Sequence, residues 1–188
     1  MSKVTSIMMV GVGGQGSILA SKLMGAVLMK NGYDVKLSEV HGMSQRGGSV
    51  QTYVRYGKEV SAPVIDPGEA DFLLCFEALE AARYLPYLKE GGTVITAQTR
   101  IDPMPVITGA MDYPADILQK LENSGVKVIS ADALAKAEAA GSAKAVNVVM
   151  LGLLAKQLDL PESDWLEAID EIVPERFREM NKKAFLNS

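Results

Sequence analysis

Apolar and polar positions along this chain change period repeatedly, from unbroken apolar runs to three-and-four spacing and back, the signature of strands alternating with helices. Ile7 to Val10 is an apolar run that breaks into Gly11-Val12-Gly13-Gly14-Gln15-Gly16 and then opens a helix, with Leu19, Leu23, Ala26 and Val27 on one face and Asn31-Gly32 as its stop. Val35 to Val40 predicts a second strand, set beside the first by a right-handed crossover. Val50, Thr52, Val54 and Tyr56 alternate with polar or aromatic neighbours, and Gly57-Lys58 predicts a turn into Val60 to Ile65, hence a β-hairpin. Ala70 to Phe76 is, apart from Asp71, a continuous apolar run, as suits a strand covered on both faces.

Further on, Glu77 to Lys89 predicts an amphipathic helix with Leu79, Ala82, Leu85 and Leu88 inward, followed by a strand from Thr93 to Ala97. Pro103, Pro105, Gly109 and Pro114 mark Thr99 to Pro114 as an irregular excursion. Ala115 to Asn123 reads as a helix, Val126 to Ser130 as a strand and Ala131 to Ala140 as a helix. Ala145 to Leu158 is apolar on nearly all sides, so it is a helix buried in the domain or under a partner. Pro161 and Pro174 each start a further helix. The expected fold is α/β: a Rossmann-like, open, mostly parallel sheet with an inserted β-hairpin and C-terminal helices. One domain spans 1–188, with 161–188 as a helical C-terminal appendage.

Composition narrows the chemistry. The 188 residues are 48% hydrophobic, enough for one sizeable core. A net charge of −4 argues against nucleic acid or an anionic membrane as the main partner. One cysteine, Cys75, and one histidine, His41, cannot supply the ligands of an iron–sulfur cluster or a zinc site, and no disulfide forms, so no metal is expected on this chain. Cys75 reads as a small core residue. The first residues run into a strand without a signal-peptide layout, and no apolar run is long enough to span a bilayer, so a cytoplasmic location is expected. Ten methionines suit adaptable core filling or a contact surface.

Gly11, Gly13 and Gly16 fit the G-x-G-x-x-G spacing, with Gly14 between them. Missing Cβ atoms there permit a tight turn, close approach of a ligand and close packing of helix on strand, while the helix start offers N–H groups to an anion. The same spacing serves a turn whose glycines only pack. The loop from His41 to Gly48 follows the second strand and so lies at the carboxyl edge of the sheet, where ligands of open α/β folds bind. Its Arg46 offers a planar fork for carboxylate or phosphate, and Gly47 and Gly48 leave the main chain accessible. His41 is a weak candidate for proton transfer, and Glu39 for holding a ribose hydroxyl. Asn147, within the apolar helix, either ties down a loop or contacts a ligand. No G-x-S-x-G elbow, Walker motif or H-E-x-x-H is present, which leaves hydrolases and NTPases without support.

Gly11-Val12-Gly13-Gly14-Gln15-Gly16, then Ser38-Glu39-Val40-His41-Gly42-Met43-Ser44-Gln45-Arg46-Gly47-Gly48-Ser49-Val50, together resemble the gamma subunit or domain of the 2-oxoacid:ferredoxin oxidoreductases, and most of all the small (beta) subunit of the indolepyruvate type. Asn147-Val148-Val149-Met150-Leu151-Gly152 fits the buried helix of the same family, and the similarity runs from about Val10 to Leu154. The resemblance implies a subunit of a complex that oxidatively decarboxylates a 2-oxoacid with coenzyme A, passing electrons to ferredoxin by way of thiamine diphosphate and 4Fe-4S clusters. Those cofactors belong to partner subunits, since this chain has one cysteine and no Gly-Asp-Gly thiamine motif. The chain is then inactive alone, and could form a homodimer in isolation. The implied binding surface is Gly11, Gly13, Gly14, Gly16, Gln45, Arg46, Gly47, Gly48 and Asn147, with coenzyme A and the 2-oxoacid as ligands. The rival readings are a free-standing NAD(P)-binding reductase and a non-catalytic assembly subunit.

Overall fold

A computed structural model describes residues 4–42 and 47–188. Six strands form one sheet in the order β2-β3-β1-β4-β5-β6. The strands are β1 (Thr5–Val12), β2 (Asp34–His41), β3 (Ser49–Gly57), β4 (Ala70–Cys75), β5 (Leu88–Ala97) and β6 (Lys127–Ala131). β1, β4, β5 and β6 run parallel, whereas β3 is antiparallel to both of its neighbours, β1 and β2. The helices are α1 (Ser17–Lys30), α2 (Ala78–Tyr84), α3 (Met104–Ile107), α4 (Ile117–Glu122), α5 (Ala133–Ala140), α6 (Val146–Ala155), α7 (Glu162–Ile172) and α8 (Glu175–Leu186).

Alternation along the strands feeds two cores. Ile7 and Met9 of β1, Val54 of β3 and Leu74 of β4 face one side, where Leu23 and Val27 of α1, Val149 and Leu151 of α6, Trp165 of α7 and Phe185 of α8 close over them. Met8, Val10, Tyr53 and Leu73 face the other side, under Ala81 and Tyr84 of α2 and Ile117 and Leu121 of α4. β1 is covered on both faces, which is why its apolar run is unbroken. α7 and α8 belong to the first core through Trp165, Ile169, Ala184 and Phe185.

The hairpin lies elsewhere than the turn residues predict. Gly57 ends β3, and 58–65 forms no strand; Val60 and Ile65 instead bury their side chains from a loop. The partner of β3 is β2, with Asp34 opposite Gly57 and His41 opposite Val50, so the hairpin joins β2 and β3 through the glycine-rich segment 42–48. β3 also takes the place beside β1 predicted for β2, with Gly11 opposite Val50. The helix from Glu77 stops at Tyr84, because Pro86 lacks the N–H to continue it, and a 3₁₀ turn at Leu85–Tyr87 leads directly into β5. Its buried face is Ala78, Glu80, Ala81 and Tyr84 rather than the predicted leucine stripe.

Candidate functional site

The glycine turn sits at the carboxyl edge, where β1 sends its chain to α1 on one face and β4 sends its chain to α2 on the other. Ligands of open α/β sheets bind in the crevice at such a reversal. Here the protein fills the crevice with its own side chain. Gln15 Oε1 accepts from the Val12 N–H at 2.7 Å, and Gln15 Nε2 donates to the Phe76 carbonyl at 2.8 Å. A Cβ on Gly11 would lie 2.7 Å from Gln15 Oε1 and 3.1 Å from Phe76 Cβ. Gly11 is therefore a glycine for the sake of Gln15.

Gly16 has a similar reason. Its φ of 85° lies in the left-handed region, and a Cβ there would meet Asn147 Nδ2 at 2.7 Å. Asn147, buried in α6, donates from Nδ2 to the Gly16 carbonyl at 3.1 Å, while its Oδ1 is buried without a partner among the described residues. Of the two roles open to Asn147, the geometry shows the tie to the turn. Gly13 is bound to the other glycine pair: its N–H donates to Gly48 O at 2.8 Å and its carbonyl accepts from Gly47 N–H at 3.2 Å. These two bonds continue the β1–β3 ladder past its end, so the turn and the Gly47-Gly48 pair form one structure.

What remains open is Gly14, whose φ is 104° and whose missing Cβ faces empty space, together with the first N–H groups of α1. Gly16 gives α1 no side-chain cap and the first turn carries no acid, which leaves that end positive. A cavity of about 320 Å³ borders Gly14, Gly16 and Ser17 on one side and Glu39 and His41 on the other. Glu39 accepts a long 3.4 Å bond from Thr52 Oγ1, and exposed His41 has Nδ1 3.1 Å from the Gly42 carbonyl. The structure thus brings Glu39 and His41 to the glycine turn although β3 separates β2 from β1. Gln45 and Arg46 lie outside the described residues.

A larger cavity, about 480 Å³, opens on the α2 side of the same loop and holds groups that sequence reasoning missed. Ser49, Glu77, Glu80 and Arg83 line it, together with Ile101, Asp102, Pro103, Met104 and Ile107. Glu80 is buried and accepts from Ser49 Oγ and from Arg83 Nε, while Tyr84 Oη lies 3.0 Å from Ser49 Oγ. Glu77 is also buried; it caps α2 by accepting from Glu80 N–H at 2.9 Å, and takes Ile101 N–H at 3.2 Å and Tyr113 Oη at 2.7 Å. Burial, then the bond to Glu77, pushes the Tyr113 hydroxyl well above its ordinary value. Arg100 covers the Tyr113 ring at 4.2 Å and pairs with Asp102. Glu77 follows the apolar run Phe72 to Phe76 and precedes Glu80 by three residues; a carboxylate placed where a buried strand meets a helix start was the available signal. Cys75 lies wholly buried in β4, and burial pushes its thiol up, which makes it a packing residue.

The sequence pattern described as pyruvate ferredoxin/flavodoxin oxidoreductase matches residues 6–188, nearly the whole chain. The chain belongs to this family. Among its relatives, the indolepyruvate oxidoreductase subunit IorB of Thermococcus kodakarensis is 41% identical over 190 residues, covering 97% of this chain and 93% of that one. The IorB subunit of Archaeoglobus fulgidus is 38% identical over 183 residues, covering 95% and 90%. In fold, the chain matches pyruvate oxidoreductase subunit PORC of Thermotoga maritima with a TM-score of 0.74 at 19% identity, covering 97% of this chain and 93% of that one. It also matches 2-oxoglutarate:ferredoxin oxidoreductase of Magnetococcus marinus, a structure with 2-oxoglutarate, coenzyme A and succinyl-CoA bound, at TM-score 0.74 and 20% identity; 98% of this chain then covers 30% of the longer one.

The mixed sheet belongs to the same family architecture: α/β, mostly parallel, with the antiparallel β3 inside it. Homologues in the family are small subunits of oxidoreductases that act within multi-subunit enzymes. Family membership displaces the free-standing reductase, and the glycine turn agrees with that outcome, since Gln15 occupies the crevice where a dinucleotide's pyrophosphate would approach. No helix among the described residues is long and apolar enough to cross a membrane.

Proposed function

We propose that this chain is the small, gamma-type subunit of a 2-oxoacid:ferredoxin oxidoreductase of the indolepyruvate kind, and that it works only with a partner subunit carrying thiamine diphosphate and 4Fe-4S clusters. The observation that carries this reading is 41% identity to an IorB subunit over nearly the full length of both chains. The single cysteine, buried within β4, does not fit a cluster ligand, so no redox step is assigned to this chain. Thiamine diphosphate and the clusters supply decarboxylation and electron transfer on the partner. This chain's share is binding. The uncapped N–H groups of α1 and open Gly14 suit an anionic ligand, and coenzyme A, with its phosphates, is that ligand. Arg46 extends the same surface by sequence, pairing an anionic group of coenzyme A or of the 2-oxoacid.

The test is co-expression with the cognate large subunit and measurement of ferredoxin reduction driven by an aryl 2-oxoacid and coenzyme A. Activity is expected in the complex and absent from either chain alone. Arg46→Ala is expected to raise KM for coenzyme A or the 2-oxoacid while leaving assembly intact. Nicotinamide binding by the isolated chain, or a complex without 2-oxoacid activity, would overturn the reading.

A further inference from the structure

Asn147 ties the start of α6 to Gly16, and in doing so carries the turn before α6 to the glycine site. That turn, the 3₁₀ piece Ala143–Ala145, begins on Ser142, whose Oγ accepts from the Lys144 N–H at 3.2 Å. α5 packs against it. Asp132 caps α5 by accepting from the Ala135 N–H at 2.9 Å, which sets Leu134 in the first turn, 43% exposed. Between these pieces and the glycine turn opens a cavity of about 430 Å³. Gly14, Gln15 and Gly16 form one part of its lining, and Thr99, Leu134, Ala143, Lys144 and Val146 the rest. With the cavity beside Glu39 and His41 it shares Gly14 and Gly16 alone among the described residues.

Outside the glycine turn the described lining is apolar except for Thr99 and Lys144. Leu134, Ala143 and Val146 give a hydrocarbon wall, and Thr99 adds a hydroxyl. Lys144 is the one charged side chain of the described lining, and its ammonium makes no ion pair among the described residues. A hydrocarbon wall with a lysine and a few hydrogen-bonding groups fits a ligand that joins a flat ring to phosphate. An acyl chain would use the wall and leave Lys144 unpaired; an inorganic anion would use Lys144 and leave the wall bare. A nucleotide uses both.

We propose that this cavity takes the nucleotide end of coenzyme A, with adenine against Leu134 and Val146 and the 3′-phosphate on the Lys144 ammonium. The proposal rests on the reading that coenzyme A is the anionic ligand of the glycine turn, where its 5′-phosphates lie at Gly14. Lys144 is then the residue that selects coenzyme A over its 3′-dephosphorylated form, because that phosphate meets a cation with no competing acid in the described lining. Asn147 sets the reach between the two phosphate positions, since it fixes α6 on Gly16 and Lys144 precedes it by three residues. With the nucleotide end held here, the pantetheine arm and its thiol are left for the partner subunit.

The test uses the chain co-expressed with its cognate large subunit and measures KM for coenzyme A and for 3′-dephospho-coenzyme A. Wild type is compared with Lys144→Glu, Leu134→Ser and the control Lys58→Glu, which makes the same change of charge. Lys58 follows β3 at the edge where Tyr56 stands opposite Thr5, the far end of β1 from the glycine turn. All three side chains are exposed, so melting temperatures are expected to match the wild type. Lys144→Glu is expected to raise KM for coenzyme A about fivefold or more and KM for the dephospho form by less than about twofold, with the effect shrinking as salt rises. Leu134→Ser is expected to raise both KM values by a similar factor, since adenine is common to both ligands. Lys58→Glu is expected to change neither. A Lys144→Glu effect of equal size on the two ligands, no effect, or the same effect from Lys58→Glu overturns the phosphate contact, and two unchanged KM values in Leu134→Ser overturn the adenine placement. A wild-type complex whose activity does not depend on coenzyme A overturns the ligand reading itself and the site with it.

Discussion

The Asn147 carboxamide donates to the Gly16 carbonyl at 3.1 Å, joining the start of α6 to the residue before α1 across 131 positions of chain. A Cβ on Gly16 would press within 2.7 Å of that donor and would also force a left-handed backbone on an ordinary residue. Gly16→Ala is expected to cost about 1–3 kcal/mol through strain and displacement of Asn147. Asn147→Ala is expected to cost about 1 kcal/mol, the lost bond being offset in part by removal of the unpartnered Oδ1. Because one contact underlies both costs, the double variant loses less than their sum, and a double-mutant cycle by denaturant unfolding checks it.

Gln15→Ala leaves the Val12 N–H and the Phe76 carbonyl without partners at the mouth of the crevice. About 1–3 kcal/mol of stability is expected to go with them. Gln15→Glu keeps an acceptor for Val12 but sets a carboxylate against the Phe76 carbonyl, so it recovers only part of that loss. Melting temperatures of the two variants decide the order.

Tyr113→Phe removes the hydroxyl that Glu77 accepts and frees one anchor of the 101–113 strap. The expected result is faster amide exchange and proteolysis within the strap, with global stability lowered by about 1.5–3 kcal/mol, the range of a hydrogen bond to a charged group. Exchange rates in β1 unchanged from the wild type would mark the effect as local.

The tie between α1 and α7 depends on acid. Asn31 and then Lys30 bond Asp164 and hold its carboxyl below the ordinary 3.8. A depressed value in the folded state stabilises at pH above that ordinary value, and the gain disappears as pH falls through the folded value. The difference in melting temperature between wild type and Asp164→Asn is therefore expected to be constant from about pH 7 to about pH 5 and to close below about pH 4.

Local pattern made most elements legible: the apolar runs Ile7–Val10 of β1 and Leu73–Cys75 of β4 are buried on both faces, and the all-round apolar Ala145–Leu158 stretch holds the buried helix α6. What local pattern does not carry is pairing. Val50 to Tyr56 was recognisable as a strand, yet nothing in its alternation says whether it joins the run before it or after it, and the Gly57-Lys58 turn signal favoured the wrong side. The site divides in the same way. Glycines and Arg46 stand out by type, but the residues that fill or frame the crevice, Gln15, Ser49, Glu77 and Glu80, act through contacts made only in three dimensions. Ser49 meets Glu80 from another strand and helix, at a separation of 31 residues.

The register of β2 on β3 and of β3 on β1 is set by contacts outside 43–46: His41 stands opposite Val50, and Gly47 and Gly48 are bonded to Gly13. Exchange of 43–46 is therefore expected to leave the strand register unchanged. Exchange of 43–46 between relatives thus becomes a probe of ligand choice in which the sheet is held constant.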